Sequence, residues 1–154
     1  MVHRLPLLVA ASTLAVFGQK YDGPQPPKPD LPYLKHASSL VATEASEAKE
    51  QKKKDDTLYT IEGATSPART PLAAPIFIFQ ADKIAPDTLQ LFKLESKGGH
   101  REVLISRKGS QPLRVEVTRL GGNLYKLEVV DSLEAGEYSL SPNNSNKVFC
   151  FAVF

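Results

Sequence analysis

Residues 113–130 read LRVEVTRLGGNLYKLEVV, and their alternation decides the class of fold. Leu113, Val115 and Val117 alternate with Arg114, Glu116 and Thr118; Tyr125, Leu127 and Val129 alternate with Lys126 and Glu128. A period of two sends successive side chains to opposite faces, so each run is a strand with a dry side and a wet side. Two such runs around a Gly-Gly pair make a hairpin. A two-residue loop at Gly121-Gly122 would set Val117 against Lys126 and Glu116 against Leu127. A three-residue loop, Leu120-Gly121-Gly122, sets Val117 against Tyr125, Val115 against Leu127 and Leu113 against Val129. Arg114 then faces Glu128 and Glu116 faces Lys126. The second register is the expected one, because apolar meets apolar on one face and opposite charges meet on the other.

The same pattern runs outward from this hairpin. Strands are expected at 57–61, 76–80, 88–95, 101–106, 113–119, 124–130, 137–141 and 147–153, separated by Gly, Pro and Asn. Short, evenly spaced strands with turn signals between them form an antiparallel sandwich or a small barrel. The expected fold is therefore all-β: an antiparallel β-sandwich of seven to eight short strands over 57–154. The proline-rich 65–75 stretch, TSPARTPLAAP, is expected to cross the surface. Around Lys97-Gly98-Gly99-His100, a Gly98-Gly99 turn would match Leu94 with Val103 and Phe92 with Ile105. It would also set Glu95 against Glu102, so that register stays open.

The last strand, KVFCFAVF at 147–154, is apolar on both faces. Such a strand belongs in the middle of a packed sheet or under a partner. It holds the chain's single cysteine, Cys150, so no internal disulfide forms and the core must carry the fold. Among apolar neighbours Cys150 reads as a small buried hydrophobe, with an intermolecular disulfide as the rival reading.

Upstream, residues 1–18 read MVHRLPLLVAASTLAVFG. Arg4, the uncharged apolar run from Leu5 to Phe17, and the small residues Val16 and Gly18 have the three parts of a secretory signal peptide. Export to the periplasm or the exterior is expected. Residues 19–56 are expected to be a linker, proline-rich over 19–35, with a short polar helix at 43–54, TEASEAKEQKKK. Thr43 would cap that helix, Glu44 and Glu47 would lie near its positive end, and Glu50 and Lys54 are spaced for an i,i+4 pair. On this reading, a chain lacking residues 19–55 keeps its β domain.

Residues 131–140, DSLEAGEYSL, resemble the corner before a late strand in immunoglobulin-like sandwiches and in small exported bacterial β-sandwich domains of unknown function. In immunoglobulin-like sandwiches a tyrosine hydroxyl at that corner bonds upstream backbone. Tyr138 matches the tyrosine, and Leu140 stands where that family has its second cysteine. The resemblance implies a fold and no activity.

Chemistry-bearing residues are sparse. His36 and His100 have no second His or Cys at ligand spacing, which argues against zinc, and neither sits in a triad context. Asp55-Asp56 follows a lysine run and reads as a solvated turn. No catalytic, cofactor-binding or metal residues are assigned, and no cofactor is expected. The formal charge of +2, with both signs interleaved, argues against nucleic acid. No membrane span is expected after signal cleavage. With Tyr125 and Tyr138 inward and Tyr21 in the linker, Tyr33 and Tyr59 are too few to favour carbohydrate. Asn143-Asn144-Ser145 is a glycosylation acceptor triplet if the pathway is eukaryotic. The expected function is that of an exported non-enzymatic binding or assembly module of the cell envelope or extracellular space, whose partner is a protein or a second copy. The alternatives are a small outer-membrane β-barrel, because Val148, Cys150, Ala152 and Phe154 resemble a barrel's terminal strand, and a small secreted hydrolase.

Overall fold

The computed structural model describes residues 20–108 and 111–154. The expected signal peptide lies outside the described residues. Every regular element described is a β-strand apart from one 3₁₀ turn, Pro86–Thr88. The strands form two antiparallel sheets in a sandwich-like arrangement, with one short parallel addition.

The first sheet has five strands in the order β10 (Val115–Gly121), β11 (Leu124–Val129), β7 (Ile76–Gln80), β1 (Tyr33–His36) and β2 (Ser39–Ala42). Its inner face carries Leu34, Phe77, Phe79, Leu127 and Val129. The second sheet runs β3 (Glu44–Glu47), β13 (Lys147–Val153), β12 (Gly136–Pro142), β8 (Leu89–Lys97), β9 (His100–Ser106), β5 (Asp56–Glu62) and β4 (Lys49–Lys53). A two-residue strand, β6 (Arg69–Thr70), lies parallel to the end of β13. Leu91, Tyr138, Leu140, Phe149 and Phe151 of this sheet face Phe77 and Phe79 of the first. Phe77 meets Phe151 edge-to-face at 5.0 Å, and Tyr138 stacks on Phe151 at 5.6 Å.

The second sheet is not flat. Its first and last members, β3 and β4, are separated in the chain by Ala48 alone. One extended run therefore pairs with β13 in its first half and with β5 in its second, curling the sheet round on itself.

That run overturns the helix expected at 43–54. Its Ala, Glu and Lys content favours a helix only weakly, by a few tenths of a kcal/mol per ion pair. Against this, the strand satisfies the open edges of β13 and β5, and it buries Thr43 and Ala48. The expected linker is likewise built in. Leu34 is wholly buried, and β1 extends the first sheet by pairing with β7. The Asp30 carboxylate accepts N–H bonds from Asp82, Lys83 and Ile84 at 2.9–3.1 Å, fastening the proline-rich run beside β7. Among the described residues the strands thus begin at Tyr33 rather than near residue 57, and there are thirteen of them instead of seven or eight. The 65–75 stretch is also structural. Ser66, Ala68 and Thr70 are buried, and Ala68 and Thr70 accept bonds from Ala152 and Phe154.

The decisive hairpin forms with its faces as expected but its partners shifted by two. Val115 stands opposite Val129, Val117 opposite Leu127 and Glu116 opposite Glu128, with an irregularity between Arg119 and Gly121. Gly121 and Gly122 both take positive φ there (146° and 54°), which lets the turn close one residue later. Arg114 bonds Asp131 at 2.9 Å instead of meeting Glu128. The covering sheet reaches Leu113 and Val115 but not Val117, which is 39% exposed on the edge strand. The other hairpin closes at Gly98-Gly99 with Glu95 opposite Glu102. Lys97 lies 3.4 Å from Glu102 and 3.9 Å from Glu95, offsetting the like charges.

Candidate functional site

Alternation along three shared strands determines what lines the inside of the curl. On β12, Tyr138 and Leu140 belong to the core between the sheets, so Ser139 and Ser141 face the concave side. On β13, Phe149, Phe151 and Val153 belong to that core, which leaves Val148 and Cys150 for the curl. On β8, Leu89 and Leu91 face one way and Gln90, Phe92 and Leu94 the other. The opposite wall is Tyr59 and Ile61 of β5 with Val103 and Ile105 of β9.

Part of this space is filled. Ala48, Ile61, Leu94, Val148 and Cys150 pack together, with Tyr59 and Val103 against them. Beside them the sheet borders a cavity of about 360 Å³ that opens to solvent. It exists because β8 changes partner along its length. Residues 89–94 pair with β12, and only 95–97 pair with β9. Past that point β8 and β9 separate, and their side chains border a space in place of a ladder. Asn143, Asn144 and Ser145, in the turn between β12 and β13, form the exposed rim.

A charged knot ties the far end of the curl. Arg101 on β9 points inward with its side chain wholly buried. Its guanidinium donates to Glu44 on β3 at 2.6 and 3.3 Å, and to the carbonyls of Gly63 and Glu62 at 2.8 and 2.7 Å. Glu137 on β12 lies 3.9 Å away and accepts the Ser66 N–H at 2.6 Å. Three strands and the end of β5 are thereby joined through one side chain. Burial pushes the Cys150 thiol up to about 12, against a smaller pull downward from Arg101. Cys150 is thus a buried, protonated thiol and a poor nucleophile.

The residues singled out in the sequence do not converge. His36 on β1 bonds Thr70 at 3.0 Å, whereas His100 on β9 of the other sheet bonds Glu102 at 3.1 Å. Asp55 and Asp56 lie at the β4–β5 turn. Among the described residues no group of three or more His, Cys, Asp or Glu could hold a metal ion. No helix among them is long and apolar enough to cross a membrane. Tyr138 donates to the Glu134 carbonyl at 2.7 Å, an upstream backbone bond at the corner quoted above.

Sequence reasoning missed the cavity residues. One signal for them was present: the last strand is apolar on both faces, and a strand of that kind must border two interiors. Comparison with protein-family models, with curated proteins and with solved structures finds no match for this chain.

Proposed function

We propose that the protein is an exported, non-enzymatic β-sandwich module that works by binding, in the periplasm or outside the cell, with the cavity of the curled sheet as its binding site. The observation that carries this reading is the make-up of that cavity: apolar side chains on β5 and β9, hydroxyls on β12, and an amide-rich rim. Concave, mostly apolar sites with a few placed polar groups are where proteins take small molecules. Export rests on the composition of residues 1–18. The Tyr138–Glu134 bond supports kinship with immunoglobulin-like sandwiches.

The test is fractionation of the native cell, followed by native mass spectrometry of the purified protein. The expected result is an exported chain cleaved after Gly18 and carrying a small-molecule adduct, which Ile105→Trp, on the β9 wall of the cavity, displaces. A cytoplasmic chain with residues 1–18 intact would overturn the export reading. An adduct that Ile105→Trp leaves in place would remove the cavity as the site.

A further inference from the structure

We propose that the cavity selects a small uncharged amphiphile, an aliphatic or aromatic body ending in a hydroxyl or amide. This rests on the cavity being a binding site and goes on to name what it takes. Charge is the first discriminator. None of the side chains around the cavity is ionisable near neutral pH. The nearest buried cation, Arg101, has its donors occupied by Glu44 and two carbonyls. A carboxylate or ammonium entering the cavity would give up part of its water and gain no counter-ion.

The second discriminator is the division of the walls. Tyr59, Ile61, Val103 and Ile105 offer no strong polar partner except the single Tyr59 hydroxyl. Facing them, Ser141 donates to Ser139 at 3.3 Å, a long bond. An incoming hydroxyl can replace it by accepting from Ser141 and donating to Ser139, because serine hydroxyls rotate to suit. A ligand with one polar end is satisfied there while its body lies on the β5–β9 wall. A sugar, with hydroxyls all round, would find partners at Gln90, the two serines and the rim, but would set those on its other face against the apolar β5–β9 wall. At about 360 Å³ the space lies towards the lower end of small-molecule sites, which suits an eight-carbon chain better than a long acyl chain.

The experiment uses the mature full chain with labelled Ile and Val methyls. The probes are 1-octanol, octanoate, octylammonium and methyl glucoside, titrated at pH 7.5. Octanol is expected to shift the Ile61, Val103 and Ile105 methyls, give NOEs to them, and bind at least tenfold tighter than either charged probe. Ser141→Ala should weaken octanol by roughly two- to tenfold, the worth of one neutral hydrogen bond. Ile105→Trp should abolish the shifts with the circular dichroism spectrum unchanged. If that variant fails to fold, the NOEs in the unmodified chain still locate the probe. Octanoate, octylammonium or methyl glucoside binding there as tightly as octanol would overturn the ligand class but leave the binding reading standing. Cavity methyls that no probe moves, in a protein purified without an adduct, would overturn both.

Discussion

The molecule has two interiors that share three strands, and they are built to different standards. Between the sheets, Phe77, Phe79, Tyr138, Phe149 and Phe151 share one cluster, with Phe77 and Tyr138 in ring contact with Phe151. Inside the curl the filling is Ala48, Ile61, Leu94, Val148 and Cys150, with an unfilled cavity beside it. Neighbouring residues of one strand serve both: Phe151 points to the first interior and Cys150 to the second. Large aromatics bury the most area and dominate a core's energetics. The first interior therefore carries stability, and the second is free to carry a site. Strand alternation makes that division of labour possible, since changing one face leaves the other untouched.

The largest break in this comparison comes from removing what closes the curl and completes the first sheet. A chain lacking residues 20–55 loses β1 to β4, including Leu34, and leaves β13, β5 and β7 each with an unpaired edge. We expect no cooperative thermal transition and aggregation on purification. A sharp transition near that of the intact protein would mean that residues 56–154 fold alone.

Next in size is the contrast between adjacent residues. Phe151→Ala should cost about 3–5 kcal/mol, because the ring is wholly buried against Phe77 and Tyr138. Cys150→Ala, one residue away and equally buried, should cost about 1 kcal/mol, since it removes one atom from an interior that already contains a cavity. Urea denaturation of both variants measures the difference. Equal losses would show that the two interiors are packed alike.

Arg101 tests the second interior at its charged end. Arg101→Ala leaves Glu44 and Glu137 facing each other without a counter-ion and should cost about 3 kcal/mol, at the lower end for a broken buried pair. The lower end applies because Glu44 remains 25% exposed and can recover water. In a double-mutant cycle, Glu44→Gln should recover about 1 kcal/mol or more of that loss. Strict additivity would mean that the pair with Glu44 contributes nothing and that Arg101 acts through its other partners, Glu62, Gly63 and Glu137.

How far these interiors were legible in the sequence depends on how local their causes are. IFIFQ at 76–80 and KVFCFAV at 147–153 form strands with the expected bounds, because dense β-formers flanked by turn residues leave no rival. The 113–130 hairpin showed its faces but not its partners. A slip of two preserves every face, and the attractive pairing of Glu116 with Lys126 pointed to the wrong one of two equivalent registers. TEASEAKEQKKK reads as helix in isolation, and its strand pairing is dictated by β5, across the short turn at Lys54-Asp55, and by β13 at the other end of the chain. The cavity was the least legible feature. It arises from where β8 leaves β9 and from the meeting of β3 with β4, and neither event has a local signature.

The smallest expected effect lies outside both interiors, at Asp30. Partial desolvation pushes its carboxyl upward, but hydrogen bonds from the Asp82, Ile84 and Lys83 amides outweigh it and hold the group below its usual value. A carboxyl depressed in the folded state contributes stability in full above its unfolded pKa, about 3.9, and loses it as pH falls through the lower folded value. Asp30 also has φ of 57°, a left-handed conformation that Asn adopts more readily than Ala. Asp30→Asn therefore removes the charge while keeping the backbone and one accepting oxygen. Its stability should fall below the unmodified protein's by about 1 kcal/mol or less between pH 5 and 8. The gap should narrow as pH drops below about 4, where the unmodified carboxyl takes up its proton. Other carboxyls titrate in both proteins and cancel in the difference, so urea midpoints measured in parallel isolate this one group. A gap that stays constant down to pH 2 would mean that the carboxylate charge plays no part in fastening the proline-rich run to the first sheet.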